Sequence, residues 1–212
     1  QPPPPPERTR ARRLTFRPRE IPGKLALVTG AAHRVGRALA LGLARAGASV
    51  AVHYHGSEAD AAETVREIEA MGRTAFALRA DLGDPDAPGP LVAAAAQRLG
   101  GLDILVNSAS LFESADFEAI TAEDWDRVLA VNLRAPFLLT RAAAPLLRER
   151  NGVVVNIADL SGIQAWRKFV HHGVSKAGLI HLTRAAARAL APEVRVNCIV
   201  PGTVLPPEDY TE

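Results

Sequence analysis

Short apolar runs alternate with longer segments of helical period from Lys24 onward. The apolar runs are almost continuous, which is typical of parallel strands buried on both faces. They comprise residues 25–28, 49–52, 75–78, 104–106, 153–157 and 194–199. The segments between them have the length and spacing of amphipathic helices, and they comprise residues 35–46, 58–71, 86–99, 123–149 and 173–191. This alternation predicts an α/β fold with a doubly wound parallel sheet and right-handed crossovers.

Both ends of the chain depart from this pattern. Residues 1–21 open with Pro2 to Pro6 and continue with arginines, a composition typical of a polyproline II stretch followed by a solvated arm. We expect this extension to be disordered and residues 22–212 to form one domain. After Pro201-Gly202 the chain reaches Glu212 without another strand.

Composition and charge narrow the class of protein. Of the 212 residues, 48% are hydrophobic and 23% are charged, which is the composition of a globular domain. Residues 1–20 hold six arginines and two glutamates, a net charge of +4, so the rest carries −2. We expect no nucleic-acid partner, because that would require a basic face on the domain. We also expect no membrane partner, because no apolar run reaches about 18 residues. The single cysteine, Cys198, favours a reducing, cytoplasmic location.

The first predicted strand leads into Thr29-Gly30-Ala31-Ala32-His33-Arg34-Val35-Gly36 and then into a helix. A glycine-containing turn at this place brings helix N-terminal N–H groups against a phosphate. Gly30 permits an unusual backbone conformation, and Gly36 permits close packing of helix and strand. The cofactor contacts expected here are Gly30, His33, Arg34, Val35 and Gly36.

The tip of the second strand reads His53-Tyr54-His55-Gly56-Ser57 and carries no acidic residue. A carboxylate here would hold the ribose 2′-hydroxyl of NAD, whereas basic and hydroxyl groups suit a 2′-phosphate. The stretch therefore favours NADP(H), with contacts from His53, Tyr54, His55 and Ser57. His53 and His55 share one strand face, but a third ligand is missing, so we expect no metal.

These features, together with Asn107-Ser108-Ala109-Ser110 and Ser175-Lys176-Ala177, resemble the short-chain dehydrogenase/reductase family over residues 22–207. Within that family, Arg34 makes the chain most similar to the pteridine reductases, including the bacterial dihydromonapterin reductases. The resemblance implies a three-layer α/β/α Rossmann fold and a reductase that takes NADP(H) and a small-molecule substrate. Gly56 departs from it, because an arginine that binds the 2′-phosphate often stands there.

The resemblance also assigns further cofactor contacts. It implies that Asp81 accepts from the adenine amino group, and that the Asn107–Ser110 motif closes over the cofactor. It implies that the Pro201-Gly202 turn lies beside the nicotinamide. The additional contacts are Asp81, Leu82, Asn107, Ser108, Ala109, Lys176, Pro201, Gly202 and Val204.

The catalytic residues implied by the resemblance include one unusual replacement. The family has Tyr-x-x-x-Lys with a serine thirteen residues before the tyrosine; here Lys176 is preceded by His172, and Asp159 stands at the serine position. Aspartate is found there in pteridine reductases, whereas histidine for tyrosine is not their usual pattern. Asn132 matches the asparagine that positions a water in the proton relay. The predicted catalytic set is Asn132, Asp159, His172 and Lys176.

Two interpretations of His172 remain open. An imidazole suits proton transfer at neutral pH, and Asp159 would favour its charged form against the nearby ammonium of Lys176. In the first interpretation this pair protonates a C=N or C=O bond that receives hydride. In the second, the chain binds NADP(H) but has lost efficient proton donation. His171 is the adjacent alternative donor, although about 100° of helical rotation separates the two side chains.

The expected substrate contacts are Ser110, Phe112, Asp159, Trp166 and His172. Phe112 lies where pteridine reductases place an aromatic ring that stacks on pterin, but it also suits a loop anchor. Trp166 lies between the fifth strand and the catalytic helix, where it fits either the pocket or the core. A dihydropterin-like substrate is therefore expected, with a 3-oxoacyl thioester or other carbonyl as the alternative.

The resemblance further implies a homo-oligomer, a dimer or tetramer, that pairs through the long helices predicted at 123–149 and 173–191. Family members continue beyond the Pro-Gly turn with a substrate-covering helix and a seventh strand. We expect that lid and last strand to be absent from this sequence.

Overall fold

The computed structural model describes residues 21–202. Val204 and most of the N-terminal extension lie outside the described residues. The backbone N–H of Ile21 donates to the carbonyl of Ala46 at 2.7 Å, and its side chain packs against the core. The folded domain therefore includes Ile21, one residue before the boundary predicted from the sequence.

Six parallel strands form one sheet. In chain order they are β1 (Leu25–Val28), β2 (Ser49–Tyr54), β3 (Ala75–Arg79), β4 (Ile104–Asn107), β5 (Val153–Ile157) and β6 (Arg195–Ile199). Their spatial order is β3-β2-β1-β4-β5-β6, so the order reverses beside β1. Ligands of such sheets bind at this switch point, outside the carboxyl ends of the strands. The predicted doubly wound parallel sheet is confirmed.

Within residues 21–202, six α-helices accompany the strands: α1 (Arg34–Arg45), α2 (Glu58–Ala70), α3 (Pro88–Leu99), α4 (Ala122–Leu129), α5 (Ala135–Glu149) and α6 (Val170–Ala189). Successive strand residues point to opposite faces of the sheet. Val28 and Val52 therefore join a core beneath α1 and α2, whereas Leu27 and Leu105 join a second core beneath α3 and α5. The chain thus has three layers, α/β/α. Within residues 21–202, no helix has the length and apolarity needed to span a bilayer.

The helix predicted over residues 123–149 is interrupted. A capping box between Thr121 and Asp124 starts α4, and a π-helical turn, Ala130–Arg134, separates α4 from α5. Pro136 lacks an N–H and cannot donate to the carbonyl of residue 132, while the N–H of Ala135 donates instead to the carbonyl of Ala130. The π-helical turn, which is wider than an α-helical one, accommodates the hydrogen bond that Pro136 cannot make. It places Asn132 on the inner side of the helix pair, where the side chain is fully buried.

Candidate functional site

The turn between β1 and α1 packs so closely against neighbouring backbone that two of its positions require glycine. Gly30 has φ +63°, and a Cβ added there would lie 2.8 Å from Cα of Ala109. A Cβ on Gly36 would lie 2.0 Å from the carbonyl oxygen of Gly30. Side chains at either place would push the turn away from its neighbours. This packing sets the N-terminus of α1 at the carboxyl end of β1, where helix N–H groups can bind an anion.

Arg34 occupies the position where a third glycine is common, and it adopts a left-handed conformation with φ +51°. The left-handed region is strained for a residue other than glycine, and such strained residues cluster at functional sites. His33, in extended conformation, and Arg34 are both exposed at the start of α1, whereas Val35 is half-buried. The turn therefore presents one imidazole and one guanidinium to solvent.

His53 lies beneath the turn rather than on its surface. The side chain is 2% exposed, and its Nδ1 accepts from the N–H of Gly30 at 3.1 Å. Its Nε2 donates to the carbonyl of Ala80 at 3.2 Å. A ring with one accepting and one donating nitrogen is neutral. Burial lowers the pKa of His53 to about 4; the hydrogen bond to Ala80 opposes this shift, and the charge of His55 adds to it. The expected contact between His53 and cofactor is thus corrected to support of Gly30, because both ring nitrogens are occupied.

The other residues predicted at the strand tips divide between core and surface. The side chains of Tyr54 and Leu82 are buried among apolar residues. His55 and Asp81 are exposed, and Nδ1 of His55 lies 3.8 Å from Oδ1 of Asp81. Ser57 is half-buried immediately before α2. Only His55, Ser57 and Asp81 of this group offer side-chain atoms to a ligand.

The segment after β4 is fastened to the end of β1. Oγ1 of Thr29 accepts from the N–H of Ser108 at 3.0 Å and from that of Ala109 at 3.1 Å. Nδ2 of Asn107 donates to Oδ1 of Asn156 at 2.8 Å on the neighbouring strand. These bonds fix the backbone of the motif beside the glycine turn, so that its residues act through their main chain.

Asp159 and His172 are brought together at the carboxyl end of β5. Asp159 follows this strand and precedes a 3₁₀ turn, Leu160–Gly162, while His172 lies in the first turn of α6. Oδ2 of Asp159 lies 2.5 Å from Nε2 of His172. Oδ1 of Asp159 accepts from both the N–H and the hydroxyl of Ser161. The carboxylate is 22% exposed and the imidazole 1%, so that Asp159 forms the open side of the pair.

The Asn132 side chain forms hydrogen bonds with both the backbone N–H and the backbone carbonyl of Leu111. Its Oδ1 accepts from the N–H of Leu111 at 2.8 Å, and its Nδ2 donates to the carbonyl of Leu111 at 3.0 Å. The second hydrogen of Nδ2 is donated to Oγ of Ser175 at 3.1 Å. Because both amide hydrogens are used, Nδ2 has none left for Nδ1 of His172, which lies 3.3 Å away.

Both ring nitrogens of His172 face oxygen acceptors. Nδ1 lies 2.9 Å from the carbonyl of Leu111, and Nε2 faces Asp159. A carbonyl and an ionised carboxylate can only accept, so a hydrogen on either ring nitrogen is donated to the oxygen that faces it. Burial opposes the ionisation of Asp159, but hydrogen bonds from His172 and Ser161 outweigh it and lower the pKa of Asp159 to about 2. Asp159 is therefore ionised at neutral pH, and its carboxylate faces the His172 ring.

Lys176 lies one helical turn after His172 and is almost completely buried. Its Nζ donates to the carbonyl of Ile157 at 3.0 Å. Burial lowers the pKa of Lys176 to about 8, although the charge of Asp159 partly opposes this. The ammonium is thus a charged donor fixed at the end of β5. His171 is also buried, but no hydrogen bond within residues 21–202 joins it to Asp159 and its Nδ1 has no partner there.

Aromatic rings form one wall beside His172. The rings of Phe112 and Phe169 are stacked with centroids 4.4 Å apart, and Phe112 meets the His172 ring edge-on at 4.8 Å. Trp166 contacts Phe169 edge-on at 6.0 Å. Phe112 is 59% exposed, so one face of this wall is open to solvent. Ser110, two residues before Phe112, is exposed.

The last predicted contacts lie beside Asp159. The carbonyl of Pro201 accepts from the N–H of Leu160 at 3.1 Å, and Gly202 is exposed. Val204 lies outside the described residues. Within residues 21–202, no three His, Cys, Asp or Glu side chains are grouped as metal ligands would be.

Sequence reasoning missed several partners of this site. Leu111 and Ile157 contribute backbone carbonyls, which have no residue-specific signature. Ser161 and Phe169 lie in the loop between β5 and α6, where no periodicity indicates which side chains turn inward. The Ser161 hydroxyl, two residues after Asp159, is the one signal that was available.

The arrangement defines a class of protein, a doubly wound nucleotide-binding domain with an acid–base pair at the carboxyl ends of its strands. The family model described as short chain dehydrogenase matches residues 24–209. The chain therefore belongs to the short-chain dehydrogenase/reductase family and is an oxidoreductase of that type.

Individual relatives agree with this assignment. The chain is 36% identical over 184 residues to a 3-oxoacyl-[acyl-carrier-protein] reductase, FabG, of Staphylococcus aureus, with 86% of this chain and 75% of that protein covered. A short chain dehydrogenase from Burkholderia cenocepacia in complex with NADP superimposes with TM-score 0.84 and 39% identity, over 86% of this chain and 75% of that one. A blue fluorescent protein from a metagenomic library in complex with NADPH superimposes with TM-score 0.83 and 33% identity, over 86% of this chain and 75% of that one.

Proposed function

We propose that the chain is an NADPH-dependent reductase that delivers hydride to a C=N bond of a dihydropterin-like heterocycle or to a carbonyl. The observation that carries this proposal is the 2.5 Å contact between Asp159 and His172 at the end of the sheet that also bears the glycine turn. A proton source and a nucleotide cradle on one edge are the two parts that a reductase needs.

NADPH suits the residues at this edge, since the tightly packed glycine turn sets the N-terminus of α1, an anion-binding element, at the carboxyl end of β1. When bound, NADPH supplies the hydride. In this proposal Gly30 and Arg34 hold the phosphates, Asp81 meets the adenine, and Lys176 holds the nicotinamide ribose. The two structural neighbours that were crystallised with NADP and NADPH support the choice of cofactor.

The proton is proposed to leave from the pair rather than from an exposed imidazole. His172 is buried and both its nitrogens are engaged, whereas Asp159 is the open member of the pair. The hydrogen on Nε2 moves to Oδ2, and the carboxyl group so formed donates to the reduced substrate. His172 is left neutral while its Nδ1 still donates to Leu111, and solvent returns the proton afterwards.

Two substrate classes are supported by different observations. The stacked rings of Phe112 and Phe169, with Trp166 beside them, favour a flat heterocycle such as a dihydropterin. The 36% identity to a 3-oxoacyl-[acyl-carrier-protein] reductase favours a 3-oxoacyl thioester. The engagement of both His172 nitrogens supports a third candidate, an NADP-binding protein with impaired turnover.

The deciding experiment is NADPH oxidation from pH 5 to 9 with a dihydropterin and with a 3-oxoacyl thioester. The native chain is compared with His172→Ala and His172→Tyr. Turnover that collapses in His172→Ala supports the acid pair, and the preferred substrate separates the two reductases. An inactive native chain that gains activity in His172→Tyr would establish the impaired protein instead.

A homo-oligomer, a dimer or tetramer, is also proposed, paired through α4, α5 and α6. Phe137 on α5 and Val174 on α6 support it, because both apolar side chains are more than two-fifths exposed. We further propose a cytoplasmic location, in keeping with the single cysteine. Sedimentation of the purified chain and fractionation of its host cell test these two points.

A further inference from the structure

An arginine that the sequence motifs do not include lies beside the tip of β2. Arg79 is the last residue of β3 and pairs in register with Tyr54, the last residue of β2. Its Nε donates to the carbonyl of His55 at 3.2 Å. This bond turns the guanidinium toward residues 55–57, the loop that joins β2 to α2. Arg79 is distant from this loop in sequence and lies beside it because β3 pairs with β2.

Most N–H donors of the Arg79 guanidinium are not used in hydrogen bonds with the described residues. Nε makes the one hydrogen bond, and within residues 21–202 neither Nη group has a hydrogen-bond or ion-pair partner. Arg79 is exposed, so both Nη groups face solvent next to the loop. Two N–H groups in a planar fork match the oxygens of a phosphate. Arg79 therefore has the donors for a bidentate contact with an anion.

The loop beside Arg79 has an open position and lies next to a negative charge. A Cβ added to Gly56 would have nothing within 4 Å. Asp81 is exposed, 3.8 Å from the His55 ring, and its carboxylate would repel a phosphate. A permanently charged group is therefore required to offset it.

We propose that Arg79 binds the 2′-phosphate of NADPH and thereby sets the preference for NADPH over NADH. The inference rests on the proposed function, since it presumes that the adenosine lies at the carboxyl ends of β2 and β3. Gly30 and Arg34 hold the phosphates shared by the two cofactors, whereas Arg79 meets the one group that distinguishes them.

The test measures binding of NADPH and NADH by calorimetry, without substrate or turnover. Arg79→Ala is expected to weaken NADPH binding about 10- to 100-fold, the worth of a charge-assisted hydrogen bond, and to leave NADH binding unchanged. Arg73→Ala is the matched control, because Arg73 is an exposed arginine just before the opposite end of β3. It is expected to change neither affinity.

A rescue distinguishes charge from structural support. Gly56→Arg in the Arg79→Ala background places a guanidinium at the same loop, and Gly56 has neither a crowded Cβ position nor a left-handed φ. We expect NADPH binding to recover by at least half of the lost factor. Recovery would support the proposal.

Other outcomes overturn it. An unchanged ratio of NADPH to NADH affinity in Arg79→Ala refutes the role of Arg79 while leaving the proposed reductase intact. An equal loss for both nucleotides shows that Arg79 only supports the loop, and also refutes it. A native chain that binds neither nucleotide refutes both this inference and the proposed function.

Discussion

Nε2 of His172 and Oδ2 of Asp159 lie 2.5 Å apart, with the carboxylate on the solvent side and the imidazole buried. The buried imidazole ring is tolerated here because a carboxylate and a carbonyl face its two polar nitrogens. In the proposed proton route, the ring that supplies the proton lies inside the domain and the carboxylate that would meet the substrate lies at its surface.

Replacement of the carboxylate tests this division. Asp159→Asn removes the group that can pass a proton from Nε2 to the substrate, so we expect kcat to fall by about 10²- to 10⁴-fold while NADPH binding is retained. Steady-state kinetics and calorimetry provide the two readouts. Glu149→Gln, at an exposed carboxylate ending α5, is the control. Undiminished turnover in Asp159→Asn would exclude the proposed proton route.

The ammonium of Lys176 gives a prediction on alkaline pH. Its pKa is lowered to about 8, so turnover should decline as pH rises through this value, where the folded chain loses the charge. The unfolded chain keeps its proton to about pH 10.4, so between these values the unfolded state binds more protons and stability rises with pH. The difference between the two pKa values corresponds to a rise of about 3 kcal/mol in the free energy of unfolding.

Lys176→Met should remove this rise, because methionine has no proton to lose. Urea unfolding at pH 7 and pH 10 measures it, and Lys168→Met at an exposed lysine should leave the rise in place. A native chain whose free energy of unfolding is flat over that range would contradict the buried ammonium.

His53 gives the corresponding prediction in acid. Its folded pKa of about 4 is below the ordinary value of 6.5, so the unfolded chain takes up a proton first as pH falls. The stability associated with neutral His53 is complete above pH 6.5 and decreases by up to about 3 kcal/mol as pH falls to 4. His53→Gln keeps an acceptor and a donor without titrating, and should flatten the profile. His181→Gln, at an exposed position on α6, should not.

Two glycines of α1 should respond oppositely to alanine. A Cβ on Gly36 would lie 2.0 Å from the Gly30 carbonyl, whereas one on Gly42 would meet nothing within 4 Å. Gly36→Ala should cost roughly 1–3 kcal/mol and weaken NADPH binding. Gly42→Ala should gain about 0.5–1 kcal/mol, since it only improves helix propensity. Thermal unfolding with and without NADPH measures both, and equal effects would contradict the close contact at Gly36.

Apolar runs were enough to predict the fold, because a strand covered on both faces shows its burial directly in sequence. The same continuity concealed the orientation of His53, since β2 has no alternation to indicate which residues point to the surface. Pro136 was compatible with the start of a helix, so its interruption of residues 123–149 was not expected. Motif spacing predicted Asp159 and His172 as a pair, but the protein acceptor on each nitrogen depends on a loop that spacing does not describe.

Asn132 makes with Leu111 the two hydrogen bonds that a neighbouring strand would make, and Leu111 in turn accepts from His172. A substrate that displaced this loop would leave Nδ1 of His172 without its acceptor. Occupancy of the pocket and the hydrogen bonding of the buried ring are thus linked by a single residue, Leu111, whose carbonyl accepts from both Asn132 and His172.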